Sequence, residues 1–157
     1  MSPPRVTVGV ISDTHGLLRP EAVAALQGSD FIVHAGDVGE AVVLERLREI
    51  APTIAVRGNV DTAAWARALP ETEVVEAGAL HLYVLHDVSS LDLEPKAAGF
   101  AAVISGHTHR PGAEVRSGVL FLNPGSAGPR RFKLPVALAR LHVAGTQLSH
   151  ELVELAL

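Results

Sequence analysis

The chain has 157 residues, a hydrophobic fraction of 48%, a charged fraction of 19%, a formal net charge of -4 at pH 7 and no cysteine. These values indicate a globular protein that can bury a sizeable core, and they exclude disulfides, thiolate metal sites and a cysteine nucleophile. The acidic balance argues against a nucleic-acid partner, since no basic run is longer than the "RRFK" of residues 130–133. We expect one domain spanning residues 1–157.

The first half of the chain alternates strand and helix patterns. Residues 5–12 are mostly apolar and predict a strand buried on both faces. This stretch is too short for a signal sequence or a membrane span, so we expect a cytoplasmic protein without a membrane partner. Residues 20–28 predict a short helix, 30–37 a strand, 40–50 an amphipathic helix and 53–59 a third strand. This order is typical of parallel strands joined by helical crossovers.

The second half of the chain is rich in short strand patterns. They occur at residues 72–77, 79–86, 101–107, 119–123, 136–144 and 148–155, and residues 92–100 carry a weak helix pattern. Residues 143–147 resemble the tip of a hairpin. We therefore expect the second half to be antiparallel. A parallel half followed by an antiparallel half indicates an α/β fold in which two sheets pack face to face, with helices outside.

Polar residues follow five of the predicted strands at the point where each strand ends. In α/β sheets, binding sites form outside the carboxyl ends of the strands. The glycines beside these residues permit tight turns and close backbone approach. The strand ends supply two carboxylates, one amide and four imidazoles: Asp13 and His15, Asp37, Asn59, His86, and His107 with His109.

These seven side chains share one chemistry, since carboxylate, amide and imidazole groups are oxygen and nitrogen donors for divalent transition metals. Seven donors are too many for one tetrahedral ion but suit two ions that share a bridging carboxylate. Two carboxylates against two divalent ions leave a formal charge of +2 (4 minus 2), which attracts a phosphate and favours a nucleophile at neutral pH. A His-x-His pair alone is a weak signal, and a polar turn is the alternative explanation of residues 107–109.

The order of these motifs resembles that of the calcineurin-like metallophosphoesterases. The later "NPGS" and "PR", at residues 123–126 and 129–130, resemble the small YfcE-like phosphodiesterase branch, and the resemblance spans residues 6 to about 130. It implies an α/β fold of four layers, an αββα sandwich of two mixed β-sheets flanked by helices. The motifs that carry it are Asp13-x-His15, Gly36-Asp37, Gly58-Asn59-x-Asp61, His86 and Gly106-His107-x-His109.

The resemblance also implies a site and a reaction. The protein would be a dinuclear hydrolase acting on a small phosphodiester, a phosphomonoester or a nucleotide. The nucleophile would be a hydroxide bridging two divalent ions (manganese favoured, with nickel, iron or zinc as alternatives), so that no protein side chain attacks phosphorus. Asn59 and Arg130 would contact substrate, although a surface arginine without a substrate role explains Arg130 equally well. The protein could be a monomer or a homo-oligomer. One ion would be held by Asp13, His15, Asp37 and His109, and the other by Asp37, Asn59, His86 and His107.

Two positions depart from the family pattern. Val60 stands where many phosphatases of the superfamily carry a histidine that donates a proton or binds phosphate. Asp87 follows His86 where the small branch commonly has glycine, so it either disturbs the histidine or supplies a carboxylate behind a metal ligand. Both departures bear on the mechanism more than on the fold.

Simpler roles are expected for several other residues. His34 is expected to pack or hydrogen-bond at its strand end, Asp61 to brace its loop, and Trp65 to pack. The rival function is a non-catalytic protein-binding scaffold on the same fold, as in the retromer scaffold subunit. Intact metal-binding residues argue against that scaffold. A nuclease is disfavoured by the acidic charge.

Overall fold

The computed structural model describes residues 4–157. Short 3-10 turns at Ala64–Ala68 and Val88–Ser90 interrupt the longer connections. In chain order, the strands and α-helices are β1 (Arg5–Ile11), α1 (Pro20–Leu26), β2 (Phe31–His34), α2 (Ala41–Ile50), β3 (Thr53–Ala55), β4 (Thr72–Ala77), β5 (Leu80–Leu85), α3 (Pro95–Ala98), β6 (Ala102–Ile104), β7 (Gly112–Arg116), β8 (Val119–Asn123), β9 (Ala137–Ala144) and β10 (Gln147–Glu154).

The first sheet has the strand order β10-β9-β1-β2-β3. Strands β1, β2 and β3 are parallel, which confirms the crossover pattern predicted for the first half of the chain. Strands β9 and β10 form the predicted hairpin, and β9 pairs antiparallel with β1. The last two strands therefore return to the first sheet instead of extending the second.

The second sheet has the order β4-β5-β6-β8-β7, and its three inner strands β5, β6 and β8 are parallel. The expectation of an antiparallel second half is therefore wrong for these strands. The reason is that residues 86–101 form a full crossover between β5 and β6, with α3 inside it. Strand β7, which was not predicted, occupies the sheet edge and pairs antiparallel with β8. Four of its five residues are exposed, so it lacks the apolar alternation that marks a half-buried strand.

Three apolar clusters hold the layers together. The cluster between the sheets includes Leu82 and Val84 of β5, whereas their neighbours Tyr83 and Leu85 face the opposite side, as the period of two in a strand requires. Helices α1 and α2 cover the outer face of the first sheet. Apolar residues from 88–100 cover the outer face of the second. These layers confirm the expected αββα sandwich, with a fourth layer thinner than the first.

The carboxyl ends of β1, β2, β3, β5 and β6 meet at one edge of the sandwich. Hydrogen bonds join the loops that leave them: within the first sheet the amide of Asp13 donates to Gly36 O at 3.0 Å, and between the sheets the amide of His107 donates to Asp13 Oδ2 at 3.0 Å. This edge therefore brings together loops from both sheets. Within residues 4–157, no helix has the length and apolar character needed to cross a membrane.

Candidate metal centre

The structure brings all seven predicted donors to this edge of the sandwich. Asp13, His15 and His109 form one group, and Asp37, His86 and His107 form a second; within each group the potential ligand atoms lie within 4.8 Å of one another. Asn59 joins the second group, with its Oδ1 at 3.0 Å from His86 Nε2 and 3.2 Å from His107 Nδ1.

Asp13 is the fully buried carboxylate of the first group. Its Oδ2 accepts hydrogen bonds from the Ser12 hydroxyl at 2.6 Å and from the His107 amide at 3.0 Å. Its Oδ1 has no hydrogen-bond partner and lies 3.2 Å from His109 Nε2 and 3.7 Å from His15 Nε2. The carboxylate is thus held through one oxygen while the other faces two imidazoles. A buried oxygen left free in this way is costly unless a cation satisfies it.

His86 is oriented by the backbone. Its Nδ1 lies 2.8 Å from the Ala35 carbonyl, so the ring donates from Nδ1 and, when neutral, carries its lone pair on Nε2. That Nε2 faces Asp37 Oδ2 at 3.2 Å and Asn59 Oδ1 at 3.0 Å, both of which are acceptors. Burial opposes the charged ring, but the hydrogen bonds to Asp37 and Ala35 raise the pKa of His86. Three converging lone pairs require a cation among them, either a proton or a metal ion. The donor set therefore fits a divalent ion.

Asp37 lies between the two groups. Its Oδ2 is 3.2 Å from His86 Nε2 and 3.8 Å from His15 Nε2, and its Oδ1 accepts the Val60 amide at 3.0 Å. Although burial acts to raise the pKa of Asp37, the hydrogen bonds from His86 and Val60 lower it to about 2. The carboxylate is therefore ionised at neutral pH and faces donors of both groups through one oxygen.

The loops that carry the donors are strained. Positive φ angles are rare in residues other than glycine and cost about 1–3 kcal/mol each, so they persist only where the surroundings enforce them. Two of the donor loops also require glycine at a fixed position. A side-chain carbon on Gly58 would collide with Asp37, and one on Gly106 would collide with Ser12. Five of the seven donors have positive φ: Asp13 (54°), His15 (47°), Asp37 (56°), His107 (73°) and His109 (64°).

A buried hydrogen-bond chain ties the first two donor loops together. The Gly36 amide donates to His34 Nδ1 at 3.1 Å, which places the ring proton on Nε2. Nε2 then donates to Thr14 Oγ1 at 3.0 Å, and that hydroxyl donates to the Val38 carbonyl at 2.8 Å. Complete burial lowers the pKa of His34 to about 4. The predicted structural role of His34 is confirmed, whereas the role of Thr14, marked only by its place between two donors, was missed.

Asp61 and Asp87 take supporting positions. Buried Asp61 accepts the amides of Val38, Gly39 and Gly58 at 3.1, 3.0 and 2.9 Å, which confirms that it braces the loops. Asp87 accepts the amide and hydroxyl of Ser89 at 3.0 and 2.8 Å, so it caps the turn at Val88–Ser90. Its Oδ2 lies 3.8 Å from His107 Nε2. His86 keeps its place in the second group, so Asp87 does not disturb it.

The surroundings of the two groups differ in charge. A cavity of about 420 Å³ adjoins the second group, and its charged lining residues are Asp87, Asp92 and the ion pair of Arg57 with Glu71. The loop of residues 129–134 continues from residues 126–128, which bind the backbone of the Asp13 loop, and the structure records no bond from Arg130 to any donor. Burial and, to a smaller extent, the charge of Arg131 lower the pKa of His109. The basic residue whose charge acts on the first group is therefore Arg131, which was not among the residues predicted from the sequence.

Comparisons with known proteins agree with this geometry. A family model described as the calcineurin-like phosphoesterase superfamily domain matches residues 6–146. A probable metallophosphoesterase of Methanocaldococcus jannaschii is 37% identical over 132 residues, covering 76% of this chain and 67% of that protein. Phosphodiesterase YfcE of Escherichia coli is 32% identical over 145 residues, covering 73% of this chain and 76% of that protein.

A solved structure shows the same fold at lower identity. Vacuolar protein sorting 29 from Cryptosporidium parvum superposes with a TM-score of 0.83 at 20% identity, covering 97% of this chain and 92% of that chain. At this identity the likeness establishes the arrangement of the two sheets and no more. The family match covers most of the chain, and the donors stand at the strand ends that such a fold brings together. The chain therefore belongs to the calcineurin-like phosphoesterase superfamily.

Proposed function

We propose that this protein is a phosphodiesterase that uses two divalent metal ions to hydrolyse a small phosphodiester or nucleotide. The observation that carries the proposal is the convergence of potential ligand atoms at this edge, above all Asp13 Oδ1 and His15 Nε2, which are buried without a hydrogen-bond partner, and Asp37 Oδ2, which faces an imidazole of each group. Such a set is stable only around cations. The relationship to a protein named as a phosphodiesterase supports the choice of reaction.

The donors form two sets of ligands, one for each ion. Asp13, His15 and His109 would hold one ion, and Asn59, His86 and His107 the other, with Asp37 shared because its Oδ2 faces both groups. Nitrogen and oxygen donors of this kind suit manganese, which we favour, and also nickel, iron or zinc. When bound, two such ions supply Lewis acidity at the phosphoryl oxygens and a water-derived nucleophile at neutral pH.

The protein itself orients these groups and the substrate. The Ala35 carbonyl fixes the His86 ring, and Ser12 fixes the Asp13 carboxylate, so neither side chain has to reorganise during the reaction. Asn59 turns its Oδ1 toward two imidazoles, which leaves its amide nitrogen to donate to a phosphoryl oxygen. Arg130, exposed on the neighbouring loop, is a second proposed phosphate contact.

The proposal is tested by metal analysis followed by activity measurements. Protein purified with manganese should contain two ions per chain by elemental analysis, and it should hydrolyse bis(p-nitrophenyl) phosphate in the presence of manganese, nickel or zinc. Chelation should abolish turnover, and readdition of metal should restore it. A content of no more than one ion per chain, or no turnover with any metal, contradicts the proposal.

A partner-binding scaffold is the second candidate, and the likeness to vacuolar protein sorting 29 is the observation behind it. That likeness is one of fold. The donor geometry supports a metal site, and the relationship at 32% identity to a protein named as a phosphodiesterase favours the enzyme over the scaffold. Absence of both bound metal and turnover in the same assay would favour the scaffold.

A further inference from the structure

The loop that follows β8 is hydrogen-bonded to the backbone of the loop that carries Asp13. The Ser126 hydroxyl donates to the Asp13 carbonyl at 2.9 Å, and the Ala127 amide donates to the Ser12 carbonyl at 3.1 Å. Gly128 passes so close to Thr14 that a side-chain carbon there would collide with the Thr14 carbonyl. The chain therefore leaves this contact directly beside Asp13 and projects outward through residues 129–134.

The projecting residues are basic and carry an exposed aromatic ring. Arg130, Arg131 and Lys133 are all exposed. Within residues 4–157, the lysine and arginine side chains that form ion pairs are those of Arg57, Arg116 and Arg140, so Arg130, Arg131 and Lys133 have no carboxylate partner there. In a chain with a net charge of -4, such a cluster beside a phosphoesterase site is suited to an anion.

Phe132 stands at the tip of this loop. Its side chain is 90% exposed and its φ is 54°, an unfavourable backbone conformation for an aromatic residue. The fold therefore strains the backbone at Phe132 and gains almost no burial from its ring. A turn from Arg131 to Leu134, closed by a backbone hydrogen bond of 3.1 Å, holds this conformation. Strain at an exposed ring beside a reaction centre points to a role in binding.

We propose that residues 130–133 form a clamp for a nucleotide, in which Phe132 stacks on the base while Arg131 and Lys133 bind a phosphate other than the one being cleaved. The charge on the opposite side sets the orientation: in the cavity beside the second group Arg57 is paired with Glu71, so Asp87 and Asp92 leave that cavity negative and repel a further phosphate. The leaving alcohol therefore lies in the cavity and the nucleotide lies on the loop. This inference rests on the proposed phosphodiesterase activity and names its substrate class.

The test uses three diesters with the same p-nitrophenolate leaving group. They are methyl p-nitrophenyl phosphate, the p-nitrophenyl ester of thymidine 5′-phosphate, and that ester with an added 3′-phosphate. For the wild-type protein with manganese, kcat/KM should rise along this series. Phe132→Ala should lower the ratio of the thymidine ester to the methyl ester by about fivefold or more, the lower range for a base stacked on one aromatic ring.

The roles of Arg131 and Lys133 are tested with the ester that carries the added 3′-phosphate. Arg131→Gln and Lys133→Gln should each reduce the gain that the 3′-phosphate gives over the plain thymidine ester, while Arg48→Gln on the exposed face of α2 removes an equal charge and should leave all three rates unchanged. Equal wild-type rates on all three diesters, or ratios unchanged in the Phe132 and Arg131 variants, would overturn the clamp. Failure to hydrolyse even the methyl ester would instead refute the phosphodiesterase activity itself.

Discussion

Asp37 is the side chain whose loss should reach both halves of the site. Its Oδ2 faces His86 of one group and His15 of the other. Asp37→Asn removes the charge and should lower kcat/KM by more than about 100-fold, exceeding the loss caused by His15→Ala or His107→Ala, since substitutions even behind metal ligands cost about 10- to 100-fold. Metal stoichiometry and steady-state kinetics measure this, with exposed Glu45→Gln on α2 as the control. A loss of kcat/KM no larger than that caused by replacing a single histidine would contradict the hypothesis that Asp37 is shared between the two ions.

The strain in the donor loops predicts an unusual order of stability. At His15, where φ is 47°, glycine should be more stable than alanine by about 1 kcal/mol in the metal-free protein, because a left-handed backbone penalises any side chain. Urea unfolding of His15→Gly and His15→Ala measures the difference. At His81, an exposed residue near the start of β5, the order should reverse, because glycine weakens a strand. If alanine is the more stable at both positions, the loop is not strained.

Val60 bears on the departure of the leaving group. Its amide binds Asp37 Oδ1, but its side chain, 44% exposed at the rim of the site, can donate no proton. General acid help is worth about 100- to 10,000-fold, so its absence should be felt most by poor leaving groups. We expect a steep dependence of log rate on leaving-group pKa, and Val60→His should flatten it if the new ring reaches the phosphate. A shallow wild-type slope, unchanged in the variant, would point to another donor, with Asp87 the first to test.

At the scale of elements, the sequence predicted the site better than the sheet order. The candidate donors could be found because each lies within a few residues of the end of an apolar run, and the end of such a run is a local signal. Strand β7 could not be found, because "GAEVR" lies on an exposed edge and alternation disappears there. The direction of β6 and β8 depends on which strands pair across residues 86–101, and local sequence carries little information on that choice.

The end of β2 links stability to pH through His34. Burial lowers the folded-state pKa of His34 to about 4, whereas the unfolded value is near 6.5. Between these values only the unfolded chain takes up the proton, so stability should fall as pH drops through this window, by about 2 kcal/mol from pH 7 to pH 5. Burial lowers the pKa of His109 as well and acts in the same direction, whereas the raised pKa of His86 acts in the opposite one.

Urea unfolding of the metal-free protein at both pH values isolates the contribution of His34. His34→Asn keeps an acceptor for the Gly36 amide but cannot titrate, so it should be less stable than wild type at pH 7 and lose about 2 kcal/mol less on acidification. His150→Asn, on the exposed face of β10, should keep the wild-type pH dependence. If His34→Asn shows the same loss as wild type, the buried ring is not the group that titrates.

At the scale of the whole molecule, the site joins the two sheets. Asp13, His15, Asp37 and Asn59 follow strands of the first sheet, whereas His86, His107 and His109 follow strands of the second. Each donor group draws on both sheets. An ion in either group would therefore connect the two layers at their shared edge, in addition to the apolar cluster between them. Metal binding and global stability should be coupled for this reason.

The coupling predicts a large thermal shift on chelation. An ion at about 100 times its dissociation constant stabilises the folded state by about 2.7 kcal/mol, so two ions give about 5 kcal/mol. For a chain of this size, that corresponds to a change in Tm of about 10–20 °C. Melting curves with manganese and with chelator measure the shift. His81→Ala, remote from the site, should retain it, whereas Asp37→Asn should lose most of it because both groups share that carboxylate. A Tm that is independent of manganese would mean that no ion connects the sheets at this edge.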